Sequence, residues 1–573
     1  MDRTQAGIAA LMENQRIFVW AALGLVLWLN YITWQRDYAP PPAPAASTAT
    51  STDRKTDSSA QSLPELPSSS SAPAAPTAPP PANSLEAQEA AAAAAPTIHV
   101  RTDVLDLEIS TRGGDLIRAD LLEYPKVKNQ PDNPVRLLDT QGPLYVVRSG
   151  LRAADNRAEP THMENFQAGA TEYVLKEGQT ELEVPLTWTD GKGLTVTKTY
   201  IFKPNSYRID LKYDVDNQSG SDWKGASYVQ IVRHYEHVER SYFNVETYAY
   251  RGPAIYDGKG YRKLSVEDED QRNYKNAITG GWIAALQHHF VTAAVPPAGS
   301  TYDYQLSVDP QNDFVLSYRG PLINVPSGTE KTFDERLFVG PKLQAQLSET
   351  GPELQRTADY GKLTIIAQPL FWLLQKVHSF VGNWGLAIII VTFLIKLAFY
   401  RLTAASGRSM AKMRNVAPRI KAIQERYKDD REQLGRQMME IYKREKINPL
   451  AGCLPILIQI PFFLAFYWVL LESVEMRQAP FFGWITDLSA RDPYFILPIL
   501  MGAAMYGQFK LQPMPSTDPM QAKIFAFMPV IMAGTMAWFP SGLVLYWLTN
   551  TLLSIAQQWR INKLVAAEDK KKD

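Results

Sequence analysis

A lysine inside an otherwise apolar run is the first residue whose chemistry needs explaining. Lys396 sits in Leu386–Tyr400 (LAIIIVTFLIKLAFY). A charge at the centre of a membrane helix costs about 2.5–3.5 kcal/mol, so such a residue is a functional candidate by default. Lys396 also stands twelve residues after Trp384 and five before Arg401. That places it about 7–8 Å from the end of the run, a reach over which a lysine can extend to water. Thr392, one turn earlier, shares its face. Further polar groups occur in the later apolar runs: Gln459, Gln508, Thr535, Ser541, Thr549, Asn550 and Ser554. Each alone suits helix–helix hydrogen bonding, and together with Lys396 they could line a water-filled cavity. Spacing does not say whether they face one another.

Other chemistries find less support. His234 and His237 in HYEH, and the pair His288-His289, are a weak metal-ligand pattern and read as surface or structural histidines, so no metal site is expected. The chain has no P-loop, no nucleophile-elbow serine and no HExxH, so neither a nucleotide engine, a catalytic set nor a cofactor is expected. Cys453, the single cysteine, lies in an apolar run and excludes an intrachain disulfide. The formal net charge of +0 over 573 residues gives no global basic field that would suggest DNA as a partner.

The elements that position these residues divide the chain into unlike parts. Residues 1–16 precede an apolar run, Ile17–Trp34, that spans about 27 Å as a helix and carries interfacial aromatics. It reads as a first transmembrane helix. The rival reading, a cleavable signal with Ala43–Ala45 as its small-residue site, is disfavoured by the length of the run and its aromatic end. Residues 35–96 are rich in Pro, Ala, Ser and Thr and read as a disordered tether, because they cannot bury enough surface to offset their ordering entropy. From 97 to 345 the pattern has period two. Tyr207, Ile209, Leu211, Tyr213 and Val215 alternate with charged residues, as do Tyr302, Tyr304, Leu306 and Val308 with polar ones. Leu105, Leu107 and Ile109 lead into Gly113-Gly114, and Leu194–Phe202 is rich in β-branched residues. Alternation at this density predicts half-buried antiparallel strands in a large β-sandwich.

Residues 362–380 read as an amphipathic helix at a membrane surface. Apolar runs follow at 384–400, 450–471, 494–511, 524–539 and 543–559. With the first run they make six candidate spans, the last four within 450–559, and the final two are joined by the tight turn Pro540-Ser541-Gly542. The segment 401–448 carries thirteen Lys and Arg from Arg401 to Lys446, and the tail 560–573 is also basic, whereas the segment from Glu472 to Pro493 has only Arg477 and Arg491. The positive-inside rule therefore puts 401–448 and both termini in the cytoplasm and the β-domain outside. Within 401–448, Met410, Met413, Ala417, Ile420, Gln424 and Tyr427 keep a three-four spacing, Asp429-Asp430 offers a turn, and Leu434, Met438 and Ile441 continue it. This predicts a basic helical hairpin with Lys412, Arg414, Arg419, Lys421 and Arg426 as docking residues; a hairpin that merely solvates its basic surface is the equal alternative.

The stretches NPLAGCLPILIQIPFFLAFY (Asn448–Tyr467), RQAPFFGWITDLSARDPYFILPILMG (Arg477–Gly502), TDPMQAKIFAFMPVIM (Thr517–Met532) and WFPSGLVLYW (Trp538–Trp547) closely resemble the YidC membrane-insertase family. The anchor, tether and β-domain are similar to its Gram-negative form over the whole chain. The resemblance implies an α + β multidomain protein of the bacterial inner membrane, with six transmembrane helices and a periplasmic antiparallel β-supersandwich similar to sugar mutarotases. It implies an insertase and chaperone that moves nascent transmembrane segments from the cytoplasm into the bilayer through a hydrophilic groove, alone or with the general secretion translocon. Ribosome or signal-recognition components and anionic lipids are further expected partners. Lys396 matches a groove position where many bacterial members have arginine; the point charge is kept and the planar fork is not. Thr392, Phe463 and Met501 match positions that look like substrate contacts. Trp547 stands where close relatives have a second tyrosine after Tyr546. The full groove set expected is Lys396, Thr392, Gln459, Phe463, Met501, Gln508, Thr535, Trp547 and Thr549. The alternative functions are a small-solute channel or transporter and a membrane-anchored carbohydrate enzyme.

Overall fold

The period-two segments become strands with the expected faces inward. In Arg208–Asn217, Ile209, Leu211, Tyr213 and Val215 are fully buried while Lys212 is exposed. In Thr301–Val308, Tyr302, Tyr304 and Leu306 are buried and Val308 is only half-buried. The computed structural model describes residues 95–154, 158–239, 247, 249–427, 430–445, 454–511 and 519–569. The expected cytoplasmic N-terminus, first transmembrane helix, nearly all of the tether, and Cys453 lie outside these residues.

Two sheets carry the strands. The first has eleven and runs in the order Lys275–Thr279, Thr301–Val308, Asp313–Arg319, Trp223–His234, Tyr145–Ala153, Leu116–Pro125, Leu105–Ser110, Thr97–Arg101 and Glu172–Val174. Ile323–Val325 and Pro134–Leu138 pair at its side. The second has nine, with Thr329–Pro341 between Phe290–Val295 and Arg208–Asn217. Pairing is antiparallel except where Thr97–Arg101 meets Glu172–Val174 in parallel, an edge contact that the alternation pattern could not distinguish. One core fills the sandwich, anchored by Trp223, Trp282, Tyr200 and Tyr213. Gly113 and Gly114 take φ of +70° and +62°. A Cβ on Gly113 would stand 2.5 Å from the His162 carbonyl oxygen, so the turn requires glycine there.

The chain divides into two compact units. One contains Lys412–Pro449; the other contains Leu63–Ala411 and Leu450–Asp573. In the second unit, the helices are α1 (Thr364–Val381), α2 (Trp384–Ala398), the first turns of α3 (Tyr400–Arg426), α5 (Leu454–Glu472), α6 (Ile496–Leu511), α7 (Pro519–Met536) and α8 (Ser541–Asp569). The helix α4 (Arg431–Arg444) belongs to the first unit together with the rest of α3.

Three elements take more specific form. α1 buries Ala367, Leu370, Phe371 and Leu374, and its other side presents Ile365, Trp372 and Phe380 beside Lys376 and Ser379; its outward face is mixed rather than purely polar. The hairpin core is Met413, Val416, Ile420 and Ile441, packed by Ile423, Met438 and Tyr442. Val416 and Ile423 thus take the places given to Ala417 and Gln424, because the larger side chains fill the seam. The basic tail is helical to Asp569. Ile561 and Val565, four residues apart, are buried against Ala404 and Ala411 of α3. Among the described residues no single helix is long and apolar enough to cross a membrane. The pair Trp384–Ala398 and Tyr400–Met413 passes together but is bent by 70°.

The sandwich is joined to the helices by polar contacts at the end of α5. The Leu471 carbonyl accepts from His288 Nε2 (2.9 Å) and His289 Nε2 (3.2 Å). Lys342 Nζ lies 3.7 Å from Glu472 Oε2, with both side chains at most 4% exposed. Beyond the helix, Gln478 Nε2 donates to the Pro125 carbonyl (2.9 Å), as does Arg477 Nη2 (2.8 Å). Burial drives the His288 imidazole down to about 4, so it is neutral at ordinary pH.

Inside the sandwich, Glu335 is fully buried and its carboxylate accepts from Ser227 Oγ (2.7 Å) and Tyr318 OH (2.6 Å). Burial pushes this carboxyl from its ordinary 4.5 up to about 7. A raised acid binds more protons in the folded state, so its stabilisation is present below pH 4.5 and is lost as pH rises through 7. Glu335→Gln removes that dependence. Between pH 4.5 and 7 the wild type is expected to lose on the order of 2 kcal/mol more stability than the variant. Hydrogen exchange in the strands Trp223–His234 and Asp313–Arg319 measures it, and parallel pH profiles would contradict it.

Candidate functional site

The site begins with the way α2 starts and stops. Asn383 caps it, its Oδ1 accepting from the Leu386 amide at 3.0 Å. Gly385 lets the Phe481 ring approach so closely that a Cβ would stand 2.0 Å from it. The helix ends at Phe399 (φ −91°, ψ 8°), and α3 leaves at the 70° bend. Lys396 therefore lies in the last turn, where a cation is favoured by the helix dipole.

The half-buried Lys396 ammonium donates to Ser554 Oγ at 2.7 Å, and that hydroxyl donates to the Asn550 carbonyl at 2.7 Å. The charge thus meets a hydroxyl rather than a carboxylate. Around it is a cleft formed by Thr392, Ile395, Phe399, Leu402 and Thr403 on one side and by Gln459, Phe462, Tyr546 and Asn550 on the other. Among these described lining residues, Lys396 is the one cationic side chain. The space open to water centres is about 30 Å³, enough for on the order of two waters. An aromatic wall backs the cleft. Tyr546 stacks on Phe466 (4.6 Å) and Phe463 (6.1 Å), Phe463 meets Trp547 edge-on (4.6 Å), and Phe399 meets Phe462 (5.1 Å).

Of the residues singled out by sequence, Lys396, Thr392 and Gln459 come together in this cleft. Thr392 is 1% exposed and its hydroxyl donates to the Ile388 carbonyl of its own helix. Phe463 and Trp547 stand behind the lining in the aromatic wall. Met501 is fully buried in the helical core. Gln508 and Thr549 are half-buried and do not line the cleft, and Thr535 is exposed, its hydroxyl donating to the Met532 carbonyl. From the wider set of polar residues that could line a cavity with Lys396, the structure also brings Asn550 and Ser554 to it, and it adds Tyr546 and Thr403. A signal for three of them was present: Tyr546, Asn550 and Ser554 are spaced by four, which puts them on one face of α8.

In the separate hairpin unit, Arg419, Lys421 and Arg426 are exposed and Lys412 is half-buried. Arg419 Nη1 pairs with Glu445 at 3.2 Å, and the Arg414 side chain lies outside those described. The four histidines weighed as metal ligands all have other partners: His234 Nδ1 meets Asp313 (2.7 Å), His237 Nδ1 meets Glu267 (2.5 Å), and His288 and His289 meet the Leu471 carbonyl.

The chain matches two family models. The YidC periplasmic domain covers residues 97–373, and the 60Kd inner membrane protein covers residues 376–569. It is similar to the membrane protein insertase YidC of Methylococcus capsulatus, with 48% identity over 82% of this chain and 86% of that one. The relatives from Thioalkalivibrio sulfidiphilus (46%) and Pseudomonas aeruginosa (44%), bearing the same description, are each covered in full by 98% of this chain.

Burial sets an expectation for thiol labelling in a Cys453→Ser background. Gln459→Cys and Asn550→Cys, half-buried beside the cleft, should react with a small water-soluble maleimide, while Met501→Cys should be at least about tenfold slower, since reactivity follows access. Equal rates at all three positions would show that the cleft has no distinct access to water.

Proposed function

The chain belongs to the YidC family of membrane protein insertases, and from that premise we propose how its cleft inserts a segment. It is a membrane protein insertase of the bacterial inner membrane, acts on nascent membrane proteins, and carries a periplasmic β-sandwich. We further propose six spans with both termini and the 401–448 hairpin in the cytoplasm. The charge asymmetry between Arg401–Lys446 and the segment from Glu472 to Pro493 supports this arrangement.

The observation that carries the mechanism is the Lys396 ammonium held by Ser554 among Thr392, Gln459 and Asn550. A nascent span brings a short polar tail that must leave water. Hydroxyl, amide and ammonium groups beside the cleft replace part of its hydration, which lowers the cost of partial burial. Lys396 attracts acidic groups on that tail from a site where the effective dielectric is below that of water. Its hydrogen bond to Ser554 is to a neutral acceptor and can be exchanged for a carboxylate. The apolar part of the substrate then moves along the aromatic side, past Phe463 and Trp547, into lipid. We assign the groove role to Lys396, Thr392 and Gln459, with Phe463 and Trp547 as the aromatic side. Met501, Gln508, Thr535 and Thr549 complete the substrate path outside the cleft itself. No residue is given a catalytic role.

The hairpin residues Lys412, Arg414, Arg419, Lys421 and Arg426 are proposed to dock the ribosome, signal-recognition components or anionic lipid. The general secretion translocon is the proposed partner for larger substrates. The exposed charge at Arg419, Lys421 and Arg426 supports a docking role.

A charge-assisted contact is worth about 1.5–3 kcal/mol. Lys396→Ala should therefore slow insertion of a single-span substrate with an acidic tail about tenfold or more, and Lys396→Arg should retain most activity. Proteolytic protection of the substrate's translocated tail, scored at equal protein levels, reads this out. Full activity of Lys396→Ala removes the electrostatic role, and normal insertion of that substrate after depletion of the chain removes its need for the chain altogether.

A further inference from the structure

The periplasmic sandwich contains a second polar cavity, of about 220 Å³, away from the cleft at Lys396. Arginines reach it from three separate segments: Arg136, Arg233 and Arg251, with Gln287 contributed by a fourth. Their commitments differ. Arg136 is already paired, its Nε 2.8 Å and Nη2 3.1 Å from Asp120. Among the described residues, Arg233 is held from two sides without an ion pair to a carboxylate. Its guanidinium stacks 4.7 Å over the Tyr145 ring, and Nη1 donates to the Leu286 carbonyl at 2.8 Å. Tyr145 is itself fixed, its hydroxyl donating to the Ala285 carbonyl at 3.2 Å. Among the described residues the Leu286 carbonyl takes one of its five donors, and the planar group is immobilised before any ligand arrives.

The charges around Arg233 make this arrangement costly as it stands. Burial works against its positive charge, and Arg251 adds repulsion. Asp139 and Glu236 also line the cavity, and His234 lines it but is turned to Asp313 at 2.7 Å. Glu236 offsets the repulsion in part, without an ion-pair contact to Arg233 among the described residues. An anion seated between Arg233 and Arg251 would relieve both the burial cost and the repulsion.

We propose that this cavity binds a phosphate group through Arg233, Arg251 and Gln287. Donors converging from separate strands and turns suit a tetrahedral oxyanion, which offers three oxygens in different directions, and guanidinium forks match such oxygens bidentately. Gln287 precedes His288, whose ring meets the Leu471 carbonyl at the end of α5. One wall of the cavity is therefore next in sequence to the contact between the sandwich and the helices, and the phosphate comes either from a lipid headgroup or from a small soluble molecule.

Titration calorimetry on the full chain in neutral-detergent micelles separates the two sources. One arm uses inorganic phosphate and glycerol phosphate, against chloride at equal ionic strength. The other uses dihexanoyl-phosphatidylglycerol against dihexanoyl-phosphatidylcholine. Saturable binding in the first arm assigns a soluble ligand; binding of the glycerol lipid alone assigns a headgroup. In either case Arg251→Gln should weaken binding about tenfold or more. Arg233→Lys, which keeps the charge and loses the fork, provides a second variant that retains the fold's charge balance and should also bind more weakly. No binding in either arm, or binding that both variants leave unchanged, overturns the proposal.

Discussion

The cost of holding a charge inside an apolar helix shapes the helical part of this protein. Lys396 cannot be left without polar contact. The structure answers with a hydroxyl from α8 and by ending α2 within one turn of the ammonium. Both answers have consequences. The break lets α3 depart at 70°, which opens the side of the cleft formed by Phe399, Leu402 and Thr403. The Ser554 hydroxyl requires α8 to run beside α2, and Gly542 and Gly385 permit close approaches to Leu488 and Phe481 near the opposite end. A site for handling polar groups in an apolar setting is thus a by-product of stabilising one cation.

A different constraint governs how the sandwich is attached. The last carbonyls of a helix lack intrahelical donors, and its C-terminus favours positive charge. α5 ends with its Leu471 carbonyl taken by two stacked, neutral histidines and with Glu472 beside Lys342. The sandwich supplies what the helix end needs. Buried polar groups of this kind tolerate the loss of one partner poorly, because the other is left uncompensated. They make the junction specific in a way that apolar contact alone would not.

Much of the architecture was legible because it rests on periodicity. The strands from Leu105 to Val308 follow alternation, and α1 follows its three-four pattern even though large apolar side chains share its outward face with polar ones. What escaped detection depended on the third dimension. The parallel edge pair at Thr97–Arg101 has no local signature. The hairpin seam uses Val416 and Ile423 in place of smaller or more polar neighbours one position later, a rotation that spacing alone permits either way. In the cleft, Lys396 and Thr392 were visible as oddities in an apolar run. Asn550 and Ser554 stood among the polar residues that could share a cavity with the lysine, but which of that set face it was not legible, because nothing in a sequence says which helices are neighbours. Met501 and Thr535 lie outside the cleft, one fully buried and one exposed, a placement that residue type and spacing do not specify.

The length of α8 carries a mechanical implication. This uninterrupted helix of 29 residues, about 43 Å long, bears Ser554 at the cleft and then Ile561 and Val565 against the start of α3. Gln557 and Gln558 add hydrogen bonds to Thr403 and to the Gly407 carbonyl between those two contacts. With no glycine or proline between Leu543 and Asp569, it lacks a joint at which to yield. The aperture beside Lys396 and the heel on which α3 rests are therefore fixed to one lever, and widening the first must tilt the second.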